Sequence, residues 1–118
     1  MQSVQIFGAR NSSASRAAER FFKERRIPIQ FFDLKQKPMA PGEIRRFVER
    51  FTMAGLIDTQ SKPYVNGGLQ YLKLTDADWL ARIEEDPSLL RLPLVRSGKL
   101  ISIGADTEAW KAMAEAVR

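Results

Sequence analysis

One stretch near the start of the chain limits the fold more than any other. It runs Val4-Gln5-Ile6-Phe7-Gly8, then Ala9-Arg10-Asn11-Ser12-Ser13-Ala14-Ser15, then Arg16 on to Phe22. Val4 and Ile6 alternate with polar neighbours, which reads as a buried strand over residues 3–7. Gly8 marks a turn. Ala14, Ala17, Ala18, Phe21 and Phe22 then recur at three- and four-residue spacing, which predicts an amphipathic helix over residues 13–26. Ser12 or Ser13 suits its N-cap, because a hydroxyl there accepts a bond from a free amide. Arg25-Arg26 suits the negative end of its dipole. A chain entering a helix in this way aims free backbone N–H groups at one point, and the dipole makes that point mildly positive.

Ile27-Pro28 ends the helix, and Ile29 to Leu34 reads as a second strand. Two strands joined by a helix of this length form a βαβ unit with parallel strands. Lys35 to Ala40 is a loop. Pro41 fits the first position of a second helix, with Glu43 in its first turn and Ile44, Phe47, Val48 and Phe51 along one stripe. Residues 53–74 carry no clear period and are broken by Gly55, Pro63, Gly67 and Gly68. Thr75-Asp76-Ala77-Asp78 reads as a capping box that opens a helix turning Trp79, Leu80 and Ile83 inward, and Asp86-Pro87 closes it. Leu94-Val95-Arg96 and Lys99 to Ile103 flank Ser97-Gly98, a hairpin turn signal. A last helix, Asp106 to Val117, buries Trp110, Met113, Ala114 and Val117. The order is βαβ, a helical block, then ββα.

The 118 residues, 44 % of them hydrophobic, suffice for one compact domain and are too few for two. There is no cysteine and no histidine. Disulfides, thiol catalysis, Cys/His zinc sites and histidine acid–base chemistry are thereby excluded. The net charge is +5, but Glu19, Glu24, Glu43 and Glu49 are interleaved with the early arginines and lysines. Mixed signs favour a solvated surface over a nucleic-acid face. Asp76, Asp78, Glu84, Glu85 and Asp86 likewise read as a solvated helix face, and no metal site is expected. No apolar run has membrane-spanning length and no signal-peptide pattern precedes Ser3, so a soluble, cytoplasmic protein is expected, away from the membrane.

Particular residues sharpen the reading. Ile6-Phe7-Gly8 followed by four residues and a helix, then Ala18 to Ile27, Phe32-Asp33-Leu34, and Pro87-Ser88-Leu89-Leu90-Arg91-Leu92-Pro93-Leu94-Val95, followed by Gly104 and Trp110, together resemble the arsenate reductase (ArsC/Spx/YffB) family over nearly the whole chain. The resemblance implies an α/β, thioredoxin-like fold with a mixed four-stranded sheet. It implies thioredoxin-like parts at about 1–37 and 91–118, with an inserted helical block at about 38–90. Ser12 then stands where the family has its redox cysteine, and Ser15 where Spx-type members have the second one. Pro93 matches the proline that is usually cis. Leu92 stands where catalytic members carry an oxyanion-binding arginine; Arg91 is one residue early, which along an extended segment turns it to the other face.

A serine hydroxyl ionises far above physiological pH and lacks the reversible two-electron chemistry of sulfur. The expectation is therefore a non-catalytic binding or regulatory module without a cofactor. Its candidate ligand site comprises Arg10, Asn11, Ser12, Ser13 and Pro93, facing a small anion or a glutathione-like peptide. Each residue also has a plainer role: Ser12 as a helix cap, Ser15 as a polar residue of the first turn, Arg10 and Asn11 as solvated loop residues, Pro93 as structure. Two alternatives stay open. If the serines replace cysteines, the parent chain is a thiol-dependent, glutathione- or glutaredoxin-linked reductase. The other is an Spx-like regulator whose protein partner is RNA polymerase.

Overall fold

The computed structural model describes residues 3–117. Its chain divides into two compact units. One takes the chain up to Lys37 and from Leu92 onward, and the other is Pro38–Arg91.

The first unit holds a four-stranded sheet built from β1 (Val4–Gly8), β2 (Ile29–Asp33), β3 (Leu94–Ser97) and β4 (Leu100–Ile103), with α1 (Ser13–Glu24) and α5 (Thr107–Val117). The strand order is β2-β1-β3-β4. β1 pairs in parallel with β2, while β3 pairs antiparallel with both β1 and β4. This is the mixed sheet of a thioredoxin-like fold. The register sets Phe31, Ile6, Val95 and Ser102 side by side in one row across all four strands. That row lies on the core face, where Val4, Ile6, Ile27 and Val95 join Ala18 and Phe22 of α1 and Trp110, Met113 and Ala114 of α5. Phe21 meets Trp110 at 5.7 Å between ring centroids and thereby helps join the two helices. Burying a side chain the size of Phe22 contributes about 2–3 kcal/mol. The next row, Phe32, Phe7, Leu94 and Ile103, alternates to the other face, where Phe7 and Phe32 stack at 4.9 Å.

Element ends differ from the sequence reading by a residue or two, for local reasons. β1 runs from Val4 and includes Gly8, and β2 stops at Asp33. α1 ends at Glu24, because Arg26 adopts φ 58°, outside the helical region. The hairpin turn falls on Gly98-Lys99 rather than Ser97-Gly98: Ser97 still pairs with Leu100, and it is Gly98 that takes the positive φ, 60°.

The second unit contains α2 (Pro41–Leu56), α3 (Lys62–Asn66) and α4 (Asp76–Glu85), with 3₁₀ turns at Leu69–Tyr71 and Pro87–Leu89. Pro41 opens α2 as expected. The Thr75 capping box forms with both bonds: Asp78 N–H donates to Thr75 Oγ1, and Thr75 N–H donates to Asp78 Oδ2, each at 3.1 Å. The Thr75 amide, together with the Thr75 hydroxyl, holds the Asp78 carboxyl below its ordinary pKa. One expectation fails here. Of Trp79, Leu80 and Ile83, only Ile83 is buried. Trp79 lies half-exposed, stacked on Tyr64 at 6.4 Å, because α3 offers it an aromatic face instead of a core.

α2 is interrupted at Thr52, which has φ 68° and ψ 160°. A β-branched residue rarely occupies this region, at a cost of order 1–3 kcal/mol. Its Oγ1 accepts from Gly55 N–H at 3.2 Å and so caps the short helical turn that follows. Among the described residues no helix is long and apolar enough to cross a membrane.

Strain and cap predict opposite signs for two substitutions. Thr52→Gly relieves the backbone and gives up little capping, so it should stabilise by about 1 kcal/mol. Thr52→Ala keeps the strain and loses the cap, so it should destabilise by about 1 kcal/mol. Urea unfolding midpoints of the two variants check this.

Candidate functional site

The site grows from the end of β1. Leu34 N–H donates to Gly8 O at 2.9 Å, which fixes the last residue of the strand. The chain then turns, with Ser12 N–H donating to Ala9 O at 3.0 Å. Ser12 is the N-cap of α1: its Oγ accepts from Ser15 N–H at 3.1 Å, and its carbonyl accepts from Arg16 N–H at 3.0 Å. Ser13 and Ala14, the first two helical residues, lie too early to find helical acceptors for their amides. Ser12 is half-buried, whereas Asn11 and Ser13 are exposed. The Ser12 hydroxyl accepts one bond and keeps its proton for donation.

Ser15 lies in the first turn of α1, as its plainer reading has it, and it is fully buried there, its Oγ accepting from Ala9 N–H at 3.3 Å. The two serines therefore act in opposite directions along the chain: Ser12 closes the helix start, and Ser15 reaches back to the strand exit. Gly8 makes this contact fit. A β-carbon built on Gly8 would overlap Ser15 Oγ and lie 2.8 Å from Ser15 Cβ and 3.5 Å from Pro93 Cβ. Gly8, Ser15 and Pro93 thus meet at one point. The Leu92–Pro93 peptide is cis, and Pro93 O accepts from Gly104 N–H at 3.0 Å.

Arg10 is more than a solvated loop residue. Its Nη1 donates to Glu19 Oε1 at 3.1 Å and Oε2 at 3.0 Å, and its guanidinium carbon lies 3.9 Å from the centroid of the Phe31 ring. Lys23 Nζ adds a contact to Glu19 Oε2 at 3.5 Å. Burial works to raise the Glu19 pKa, but the bonds and charges of Arg10 and Lys23 outweigh it, and the carboxyl sits below its ordinary value. The loop cation is thus largely neutralised by α1 itself. Arg91 belongs to the second unit, where its Nε donates to Ile57 O at 3.2 Å and its amide to Leu56 O at 2.8 Å. Among the described residues no group of three or more acidic side chains is arranged to hold a metal ion.

The arrangement offers a hydroxyl, two amides and a helix dipole, with no nucleophile stronger than serine. The bond that Ser12 Oγ accepts comes from the Ser15 amide, a capping bond and not one from a general base. Sequence reasoning missed Glu19 and Phe31, because neither stands in a short-range pattern with Arg10. It also missed the Gly8–Ser15 contact, although a glycine ending a buried strand is a known sign of close approach.

The family model of the ArsC family matches residues 7–113. The chain belongs to the ArsC family. It is 29 % identical over 104 residues to Global transcriptional regulator Spx 2 of Oceanobacillus iheyensis, covering 86 % of this chain and 76 % of the relative. Among solved structures it is similar to an arsenate reductase from Vibrio cholerae, with TM-score 0.80 and 19 % identity over 95 % of this chain and 98 % of that one. A protein designated YFFB gives TM-score 0.82 and 16 % identity over 94 % and 98 %. At these identities the structural likenesses establish the fold alone.

Two predictions follow from the contacts. Gly8→Ala should destabilise by about 2 kcal/mol, since a packed contact has no room for the added methyl; a urea midpoint measures it. Glu19→Gln should cost about 0.5–1 kcal/mol at pH 7, discounted because Arg10 is solvent-exposed. The folded pKa of Glu19 is lowered, so its contribution is full above the unfolded value of about 4.3 and fades as pH falls through the folded value. Stability measured against pH should show the two proteins converging below that window.

Proposed function

We propose that this ArsC-family chain acts by binding a protein in the cytoplasm and performs no thiol redox catalysis. The observation that carries the reading is that the chain has no cysteine. Ser12, which the family resemblance sets at the redox-cysteine position, has its oxygen used as a helix cap. Thiol-dependent reduction of arsenate or of a disulfide needs a thiolate that attacks and is regenerated. The likeness to an Spx-named transcriptional regulator favours RNA polymerase as the partner.

The test pairs two assays. Purified protein with arsenate, glutathione and glutaredoxin should give no turnover above a blank, and turnover would overturn the non-redox reading. Purified bacterial RNA polymerase should retain the protein on gel filtration, and its absence from the polymerase fraction would overturn that partner. Installing a thiol probes the frame itself. Ser12→Cys places a sulfur at a helix N-terminus, so its pKa should fall from about 8.5 to below about 7.5, read as the pH profile of iodoacetamide alkylation.

A second reading rests on the Ser13 and Ala14 amides, which lie at the positive end of α1. A small anion or the carboxylate of a glutathione-like peptide would sit there, with Ser12 Oγ as a donor and Asn11 and Pro93 at its edge. Arg10 contributes little charge while Glu19 holds it. Thermal shift against phosphate, sulfate, arsenate and glutathione, with chloride at matched ionic strength, tests it. A saturable shift lost in Ser12→Ala supports the site, and no shift beyond chloride removes it.

A further inference from the structure

The second unit holds a cavity that the protein-binding reading leaves without a use. It opens between α2 and α4, has a volume of about 230 Å³, and has Ile44, Val48, Met53 and Leu80 among its lining. Ile44 and Met53 are buried, while Val48 and Leu80 are half-buried. The spacing that turns Leu80 inward therefore aims it at the cavity and not at a closed core.

Met53 reaches this cavity because α2 breaks at Thr52. Pro41, Ile44 and Val48 recur at three- and four-residue spacing and share one stripe of the helix. Met53 follows Val48 by five residues, which on a regular helix would set it about 140° round from that stripe. The φ of 68° at Thr52 interrupts the helix, and Met53 joins the same lining. A strained backbone at this place thus has a use in what it positions.

Charge selects the occupant. The only charged residues that line the cavity are Arg45 of α2 and Asp76 of α4. Both are exposed, and among the described residues neither is held in an ion pair or a side-chain hydrogen bond. Asp78, Arg82 and Glu85 of α4 line a separate depression, with Leu74 and Ala81. A simple anion drawn to Arg45 meets Asp76, and a simple cation meets the reverse. A zwitterion satisfies both: its carboxylate accepts from the forked guanidinium of Arg45, and its ammonium donates to the Asp76 carboxylate. Size narrows the class. A cavity of about 150 Å³ holds benzene, and drug-sized ligands need roughly 300 Å³ or more. An α-amino acid with an apolar side chain falls between these limits. The interior of a peptide brings neither free charge, and a nucleic-acid backbone brings no cation.

We propose that the cavity between α2 and α4 binds a free apolar α-amino acid, its side chain among Ile44, Val48, Met53 and Leu80, its carboxylate on Arg45 and its ammonium on Asp76. The site stands apart from the protein-binding reading, since every residue it uses lies between Pro41 and Leu80 in the second unit.

Isothermal titration calorimetry of the full chain with L-leucine, L-methionine and L-phenylalanine tests it, with L-serine as the polar control. At least one apolar amino acid should bind saturably, and serine should not. The amide of that amino acid lacks the carboxylate, and its deaminated acid lacks the ammonium; each should bind about tenfold or more weakly. Arg45→Gln should weaken the amino acid about tenfold without weakening its amide. Asp76→Asn should weaken it similarly without weakening the deaminated acid. Both positions are exposed, so a thermal melt should place the variants near the parent protein. Absence of saturable binding, serine binding equally well, or an analogue that matches the amino acid overturns the proposal. So does a variant that leaves the amino acid unaffected, or that weakens it and its matched analogue alike. None of these outcomes bears on the protein-binding reading, which the polymerase assay decides.

Discussion

Strand β1 has a paired neighbour on both sides, and this double constraint organises the first unit. Its register is fixed by β2 through five residue pairs and by β3 through three. A slip of one residue would carry Val4 and Ile6 out of the core and disturb both pairings at once. Because the strand cannot move, its last residue is also fixed, and the turn into α1 starts from a set point. Everything placed around Ser12 depends on that point.

The chemistry of the turn has separated from its geometry. The helix start is complete, with a capping hydroxyl and two early amides. The chain has no cysteine to set there, and the neighbouring cation is committed to Glu19 and Phe31. Fold alone does not carry function.

Much of the fold was legible because it is written in short-range signals. The Thr75–Asp78 box, Pro41 at a helix start, Ser12 as a cap and the 3.6-residue stripe of α1 all involve residues within one or two turns of each other. The misreadings concern contacts between residues distant in sequence or choices of backbone conformation. Trp79 looked like core because its spacing fits a stripe, but spacing does not reveal that Tyr64 is its partner. Thr52 looked unremarkable because a strained backbone leaves no mark in composition. Arg10 and Glu19 stand nine residues apart across a turn, where no periodicity joins them. The candidate site was legible as a loop and a helix start, and illegible in how its side chains are spent.

The meeting of Gly8, Ser15 and Pro93 has a consequence for how this chain can change over generations. Position 15 has room for a small side chain only while position 8 has none, so the two behave as one locus. A lineage can exchange serine for another small residue at position 15 without a clash, but alanine there costs the Ala9 amide the bond that Ser15 Oγ accepts. It cannot enlarge either residue first without crossing a poorly folded intermediate. The pair is therefore closed to steric drift from either side, and the strand exit, the helix start and Pro93 keep their spacing together.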